Sequence, residues 1–278
     1  MGKLMRLMSE ASAAAALLLI LALHAHAGNQ QQQAIPTGID CNAPLPYGEP
    51  KVQGTIQKIC HPYYTSYYDV NLKGPRLVAY RLTGEQSLGC LPRKSSFHGD
   101  EQLPSAARQN PGAYLNTGFD LGHMAPDQDM SWDPVALNDS YSTANIWPQL
   151  PGFNRQGWES LEEYVRAWAL ERGEVIVNVG AVVDAQYEKM PDGTAKPRAF
   201  YKIVIDPKTN ESIGFLMTNK DTPKGDPNQY KAEISKIEQQ SEITFALPDG
   251  TDKNKNVALW HASTSDWRKR HKALCKGR

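Results

Sequence analysis

The amino-acid sequence predicts an α+β domain built on a largely antiparallel sheet flanked by helices. Three observations favour this class: β-rich runs follow one another along the chain, helical segments lie between some of them, and no internal repeat or long linker interrupts them. With 40% hydrophobic and 22% charged residues, the composition is that of an ordinary globular protein. A chain of 278 residues is also long enough to bury a sizeable core.

The first predicted strand covers residues 75–83, where Val78, Tyr80 and Leu82 alternate onto one face. Further β-rich runs lie downstream, at residues 174–181, 200–205 and 212–217. Residues 155–170 contain no proline and only one early glycine, which favours a helix. Large apolar residues recur there at helical spacing: Trp158, Leu161, Val165 and Trp168. A second helix is predicted at 231–240, followed by a strand at 243–247.

The N-terminus has the pattern of a signal peptide over residues 1–27. Lys3 and Arg6 precede an uncharged run at 11–23, which ends near a small-x-small site formed by Ala25 and Ala27. The run is shorter than the roughly 20 residues of a membrane span, and the alternative is a buried core helix. We expect residues 28–278 to be the mature protein, a single domain whose first residues, 28–36, form a leader between the cleavage site and the fold. This protein would be secreted or periplasmic, with no membrane association after cleavage.

The four cysteines agree with export. They are even in number, all lie in the mature part, and none forms a CxxC pair. This pattern favours two disulfides in an oxidising compartment over a zinc site or a redox motif. Of the three possible pairings, we favour Cys41–Cys60 as a short local loop, with Cys90–Cys275 pinning the C-terminus to the body.

The charges are balanced overall but unevenly distributed. Thirty basic and thirty acidic side chains give a net charge of zero, which excludes a polybasic histone-like protein and an acidic disordered tail. Residues 252–278 nevertheless carry eight Lys or Arg against two Asp, a local charge of +6 (8 − 2). Such a cluster either binds phosphates or forms the solvated face of a tail helix.

The chemistry-bearing residues are concentrated between Phe97 and Glu162. His123 stands in the segment 118–126 (GFDLGHMAP), where the preceding glycine suits a tight turn close to a ligand. Histidine is the side chain best suited to take up a proton near neutral pH. Alone, this motif is weak, and a structural histidine is the simpler interpretation. Further motifs follow in order: NIWPQ at 145–149, FNRQGW at 153–158 and LE at 161–162, with RKSSFHGDEQLP upstream at 93–104.

This ordered set closely resembles the DNA/RNA non-specific endonuclease family. The ββα-metal (His-Me finger) site of that family reads D-R-G-H-x-A-P, then N-x-x-P-Q, then N-x-x-x-W-x-x-L-E. The similarity extends to residues 78–83, 200–206 and 237–248, nearly the whole mature chain. The resemblance implies a ββα-metal site and magnesium-dependent hydrolysis of DNA and RNA with little sequence preference, with Mn²⁺ as a substitute for Mg²⁺.

The resemblance also implies roles for individual residues. His123 matches the general base that deprotonates the attacking water. Asn154 matches the single protein ligand of the magnesium ion, and its alternative role is that of a plain N-cap. Glu162 matches the carboxylate that hydrogen-bonds water around the metal; it lies about 80° from Asn154 around an ideal helix. Asn145 matches the amide that orients the site, and Arg93 matches the arginine that stabilises charge on the phosphate.

Two neighbours of His123 are singled out by the comparison of motifs. Leu121 replaces the arginine of D-R-G-H, so one cation near the phosphate is missing, and Arg155 or Lys94 could compensate. We expect Asp120 to bond backbone groups and shape the turn, outside the catalytic set. The alternatives to a working endonuclease are a catalytically weakened protein for nucleic-acid binding or uptake and a phosphodiesterase for small esters or nucleotides. The expected partners are DNA and RNA as substrates, and the sequence does not identify a protein partner.

Overall fold

The computed structural model describes residues 38–94 and 96–276. The strands of this part of the chain are β1 Lys51–Val52, β2 Ile56–Cys60, β3 Tyr64–Asp69, β4 Gly74–Thr83, β5 Asp120–His123, β6 Ile146–Gln149, β7 Glu174–Val182, β8 Ala199–Asp206, β9 Glu211–Thr218, β10 Lys231–Ala232 and β11 Ile243–Thr244. The α-helices are α1 Asp127–Met130, α2 Pro134–Ser140, α3 Glu159–Arg172, α4 Ile234–Ser241 and α5 Thr264–Leu274. The predicted signal peptide and leader lie outside the described residues and stay predictions.

The centre of the fold is a seven-stranded sheet in the order β10-β9-β8-β7-β4-β3-β2. Each neighbouring pair of its strands is antiparallel. The four strands predicted from β-rich runs are confirmed as β4, β7, β8 and β9, each within two residues of the predicted ends. The predicted α+β class with a largely antiparallel sheet is therefore confirmed.

Both faces of the sheet are buried because its strands carry apolar residues on both sides. Val78, Tyr80 and Leu82 of β4 belong to one core cluster, as predicted, together with the apolar side of α3. Leu77 and Ala79 point into a second cluster on the opposite face, which α4 covers. The four apolar residues predicted for the helix at 155–170 are all fully buried. Burying each such large side chain contributes roughly 1.5–3 kcal/mol.

A two-stranded sheet, β5 with β6, and the helical segment that follows it form a smaller ββα unit. β5 and β6 pair antiparallel, with His123 opposite Ile146, and the chain then enters a helix at Phe153. Gly122 stands in extended backbone within β5 rather than in the tight turn predicted for it. A Cβ at this position would overlap the side chain of Gln149 on β6, so the close approach of the two strands requires glycine.

The prediction at the C-terminal side was wrong in part. Residues 231–240 were predicted to be one helix, but Lys231–Ala232 pairs with β9 and the helix begins at Ile234. The predicted strand 243–247 is shortened to β11, which pairs with β1. Strands β2 and β3 were not predicted. In β3, a run of tyrosine, threonine and serine buried on both sides lacks the alternation of a half-buried strand.

Two disulfides are present, Cys41–Cys60 and Cys90–Cys275, and this confirms the favoured pairing. Their Cα–Cα distances of 5.2 and 5.3 Å are normal for disulfides. The second bridge joins the end of α5 to the loop that leads to Arg93. Within residues 38–94 and 96–276, no helix is long and apolar enough to cross a membrane.

Candidate active site

A cleft of about 620 Å³ lies where the ββα unit meets the loop that follows Cys90. Four of the five predicted site residues line it: Arg93, His123, Asn154 and Glu162. Asn145, the fifth, lies behind the cleft and is fully buried. The fold therefore brings the predicted residues together around one cavity although they span seventy residues of sequence.

His123 is the last residue of β5 and has only 7% of its surface exposed. The rings of Phe97 and Tyr141 lie at centroid distances of 5.2 and 5.0 Å. Its Nε2 is buried and has no hydrogen-bond partner among the described residues. Burial, helped by the charge of Arg93 and opposed by Asp127, lowers the pKa of His123 to about 4. The imidazole is therefore neutral at pH 7 and able to accept a proton.

Asn145 holds the chain that follows His123. Its Oδ1 accepts a hydrogen bond from Ala125 N at 2.8 Å, and its Nδ2 donates to the carbonyl oxygens of Ala125 and Ser140, both at 2.8 Å. Its own carbonyl accepts from Met124 N at 2.9 Å. Each polar group of this buried amide is satisfied within the protein, so Asn145 acts on the site through the position of the His123 backbone.

Asn154 lies in a π-helical segment, Phe153–Trp158, that precedes α3. Such i→i+5 turns are rare and frequently occur at functional sites. Its Nδ2 donates to Asp120 Oδ2 at 3.0 Å, and its Oδ1 has no donor among the described residues. Gly152, not Asn154, occupies the N-cap position and no side chain caps the segment, so the alternative of a plain N-cap is wrong.

Asp120 has a different role from the predicted one. Its carboxylate lines the cleft and binds side chains, not the backbone of the turn. Besides Asn154, it accepts two hydrogen bonds from the guanidinium of Arg155, from Nε at 2.8 Å and from Nη2 at 2.5 Å. This bidentate pair, across a sequence separation of 35 residues, could not be inferred from the motif alone. Asp120 thus fixes the orientation of the Asn154 amide.

Glu162 lines the cleft without a hydrogen bond or ion pair to any described residue. Burial raises its pKa to about 7, with Asp129 and Asp127 adding to the shift and Lys202 and Arg166 opposing it. The charge of this carboxylate is thus sensitive to whatever cation enters the cleft.

Behind Glu162 lies a buried charged network. Lys202 of β8 is fully buried, its Nζ lies 4.6 Å from the centroid of the Trp158 ring, and it has no hydrogen-bond partner among the described residues. Burial lowers the pKa of Lys202, and the nearby Glu162 and Asp129 oppose this shift. Arg166 donates to Asp129 at 2.8 Å, and the same carboxylate accepts from Tyr80 Oη at 2.8 Å. This network supplies positive charge beneath Glu162.

Arg93 stands at the open edge of the cleft, with 67% of its side chain exposed. Its Nε lies 3.4 Å from Asp127 Oδ2, and Asp127 also accepts a hydrogen bond from Tyr141 Oη at 2.7 Å. Burial raises the pKa of Asp127, but His123, Tyr141 and Arg93 outweigh it, so the net shift is downward. Asp127 is therefore an anion that holds Arg93 beside His123.

Leu121, at the position of the missing arginine, is half-buried and lines the cleft. Of the two proposed compensating cations, Arg155 lines the cleft but is bound to Asp120. Lys94 is not among the lining residues, and its Nζ donates to Asn138 Oδ1 at 2.9 Å. Arg155 is thus the better placed of the two.

Several cleft residues were missed by the sequence analysis: Asp127, Arg166, Trp267 and His271. Arg166 follows Glu162 by four residues, and this helical spacing would have placed both on one face. Trp267 and His271 share the same spacing on α5. No local pattern indicates that α5 folds back onto the cleft.

Comparisons with known proteins identify similar sequences and a similar fold. A model of the DNA/RNA non-specific endonuclease family matches residues 42–254. The mitochondrial nuclease 1 of Schizosaccharomyces pombe is 27% identical over 222 residues, covering 71% of this chain and 68% of the relative. Mitochondrial endonuclease G of Bos taurus is 27% identical over 217 residues, covering 72% and 71%. The fold resembles a solved structure of a complex of EndoG with EndoGI, with a TM-score of 0.66, 23% identity, and coverage of 76% of this chain and 95% of that one.

Proposed function

The chain belongs to the DNA/RNA non-specific endonuclease family, and from this we propose that it is a magnesium-dependent endonuclease that cleaves DNA and RNA with little sequence preference. The observation that carries the proposal is the neutral, buried His123 in one cleft with Asn154, Glu162 and Arg93. A neutral base, oxygen ligands for a hard cation and a guanidinium for phosphate are the groups that phosphodiester hydrolysis requires.

In the proposed mechanism, His123 takes the proton from the water that attacks the phosphorus atom. A base must be unprotonated at working pH, and the lowered pKa of His123 meets this condition. Asn145 acts as a positioning residue, since it fixes the backbone of Met124 and Ala125 directly after the base.

The donor set of the cleft fits magnesium. Magnesium prefers oxygen ligands and binds through few protein groups, keeping several waters. The amide of Asn154 is oriented by Asp120 through its nitrogen, which leaves its oxygen as the ligand, and Glu162 offers a carboxylate for hydrogen bonds to surrounding water. When bound, the cation would stabilise negative charge on the phosphate and on the leaving 3′ oxygen. Mn²⁺ has similar ligand preferences and would substitute.

Arg93 would stabilise the charge that develops on the phosphate oxygens. Its guanidinium is exposed at the cleft edge, held by Asp127, and is therefore accessible to a polymer substrate. The family relationship supports a working enzyme. Leu121 stands in the cleft where the family motif has an arginine, so this enzyme would work without that cation.

A gel assay with plasmid DNA and with RNA, in magnesium or in EDTA, tests the proposal. We expect cleavage of both substrates in magnesium and none in EDTA. Asn154→Ala would require more magnesium for half-maximal activity, and Asn154→Asp would recover part of the loss because an oxygen ligand is kept. Binding without cleavage would indicate instead a weakened nucleic-acid-binding or uptake protein, and hydrolysis restricted to small esters would indicate a phosphodiesterase.

We propose that the mature protein is secreted or periplasmic. The two disulfides and the signal-like pattern at residues 1–27 support export, since disulfides persist in oxidising compartments. N-terminal sequencing of the protein recovered from its native source tests the cleavage site after Ala27; a chain still carrying Lys3 and Arg6 would contradict it.

A further inference from the structure

Helix α5 forms a wall of the catalytic cleft although it lies beyond the region that the family model matches. That match ends at residue 254, and α5 spans Thr264–Leu274. Trp267 and His271 of α5 nevertheless line the same cleft as His123 and Glu162. Helix α5 is thus a part of the cleft that the sequence motifs of the site do not include.

This wall is fixed in place by contacts along its inner side. Trp267 is 4% exposed, and its Nε1 donates to Ser87 O at 3.0 Å. The guanidinium of Arg166 lies 4.8 Å from the Trp267 ring, and His271 Nε2 lies 2.8 Å from Gly89 O. The Cys90–Cys275 disulfide closes the end of the helix. A helix anchored by packing, hydrogen bonds and a covalent bridge presents its outer side in a defined position.

The outer side of α5 is cationic. Arg268 and Lys272 are both exposed. Lys272 forms no ion pair with a described carboxylate, whereas Arg268 Nη1 lies 3.7 Å from Glu163 Oε2. Glu163 itself lines the cleft, so the cationic side continues directly from the cleft edge. Arg268 and Lys272 are four residues apart and therefore share one side of the helix.

We propose that this cationic side of α5 binds the sugar-phosphate backbone of the nucleic-acid substrate beyond the phosphate that is cleaved. The inference rests on the proposed function and extends it to a second contact region. An eleven-residue helix is about 16 Å long, which matches about five base-pair steps of 3.4 Å. Charge complementarity and continuity with the cleft make the backbone of a long substrate the occupant. Contacts of this kind do not read sequence, so they add affinity for any DNA or RNA.

The competing interpretation is a solvated basic helix whose charges contribute only to the net field of the protein. A matched pair of variants separates the two. The test variant carries Arg268→Gln and Lys272→Gln. The control carries Lys51→Gln and Lys208→Gln, which removes the same number of charges at exposed positions outside the cleft lining.

Fluorescence anisotropy measures the Kd for a duplex of roughly 20 base pairs, about two helical turns, over a salt series in EDTA. The slope of log Kd against log salt should fall by roughly 0.9 for each phosphate that the variant no longer neutralises. If each of the two cations neutralises one phosphate, the Kd of the test variant would change about 12-fold less than that of the parent protein between roughly 50 and 200 mM salt. The control should keep the parent slope. Equal slopes for the test variant and the control would overturn the inference.

Cleavage separates this inference from the proposed function. The ratio of kcat/KM for the duplex to kcat/KM for a dinucleotide should fall in the test variant and not in the control. If the parent protein binds the duplex with the expected salt slope but cleaves no substrate, the proposed function is wrong, while the α5 contact is still supported. If the double variant fails to fold, the two single variants carry the same test, each with a slope change of roughly 0.9.

Discussion

His123 is buried and His61 is largely enclosed, with 12% of its side chain exposed, yet their surroundings make His123 neutral and His61 positively charged at neutral pH. His61 belongs to a cluster with Asp100, Asp139 and Ser142, which we call the His61 cluster. Its Nε2 lies 2.8 Å from Asp100 Oδ2, and its Nδ1 lies 3.2 Å from Asp139 Oδ2. Burial lowers the pKa of His61, but these two carboxylates outweigh burial and raise it to about 9. In the cleft, burial prevails and lowers the pKa of His123 to about 4.

The difference teaches that partners, rather than burial, decide which histidine can do proton chemistry. Both nitrogens of His61 contact carboxylates, so its proton is held and its role is structural. His123 has a buried Nε2 without a partner among the described residues, next to an open cleft. The unpaired nitrogen of His123 costs stability because it is buried, and it is also what leaves the ring free to take up a proton.

The largest expected effect is on the cleft side of the comparison. His123→Ala should lower cleavage by about 10²–10⁴-fold, because only the base is removed, while nucleic-acid binding and Tm stay nearly unchanged. Initial rates on a labelled duplex and a melting curve measure this. A variant that keeps more than about a tenth of the activity would show that His123 is not the base.

In the His61 cluster, we expect a substitution to lower stability rather than activity. His61→Gln should destabilise the fold by about 3 kcal/mol at pH 7, since it leaves two carboxylates close together without their cation. Urea unfolding measures the free energy, and His261→Gln, at an exposed histidine, is the control. The rate per folded molecule should stay near that of the parent protein.

The pH dependence of this stability has a definite sign. Folding raises the pKa of His61 to about 9. Protonated His61 therefore contributes its full stabilisation of the folded state below the pKa of the unfolded chain, about 6.5. That contribution is lost as the pH rises through about 9. The difference in unfolding free energy between the parent protein and His61→Gln should therefore shrink between about pH 6.5 and 9. A difference that is constant over this range would contradict the ion-pair account.

Two adjacent glutamates sharpen the same contrast. Glu162 has no partner in the described part of the chain, whereas Glu163 pairs with Arg268 at 3.7 Å. Glu162→Gln should lower kcat/KM by about 10–100-fold, through the loss of a carboxylate that orients water in the cleft. Glu163→Gln is the matched control and should change kcat/KM on a dinucleotide by less than about threefold. Equal losses in the two variants would remove Glu162 from its assigned role.

The smallest effect is expected at Leu121. Leu121→Arg places a guanidinium in the cleft beside His123 and should raise kcat/KM by about tenfold, or ~1.4 kcal/mol of transition-state stabilisation. Because Leu121 is half-buried, the variant needs a melting curve alongside the rate. A stable variant with unchanged activity would show that Arg155 already supplies this charge.

The fold was predictable where long apolar runs determine it. Residues 75–83 and 174–181 bury side chains at nearly every position. The helix at 155–170 was confirmed through Trp158 and its spaced partners. The π-helical turn was not predictable, since it depends on contacts far along the chain. Gly157 N donates to Thr222 O at 2.9 Å, and a Cβ on Gly157 would overlap the Thr222 side chain.

The site was predictable from the ordered motifs, but its electrostatics were not. Asp120 was expected to bond backbone, yet its carboxylate binds Asn154 and Arg155. The His61 cluster joins residues from three separate parts of the sequence, and no local pattern links them. Pairing of this kind arises only when the chain has folded, because charge partners are chosen by tertiary contact and not by spacing.

The most direct test of the central claim is a titration of the histidine ring protons of the intact protein by NMR, with His123→Ala and His61→Gln used to assign the two resonances. The account predicts that His123 gains its proton only near pH 4, whereas His61 keeps its proton up to about pH 9. A His123 ring that titrates at or above its ordinary value of about 6.5 would contradict the claim that this residue is the neutral base of the cleft.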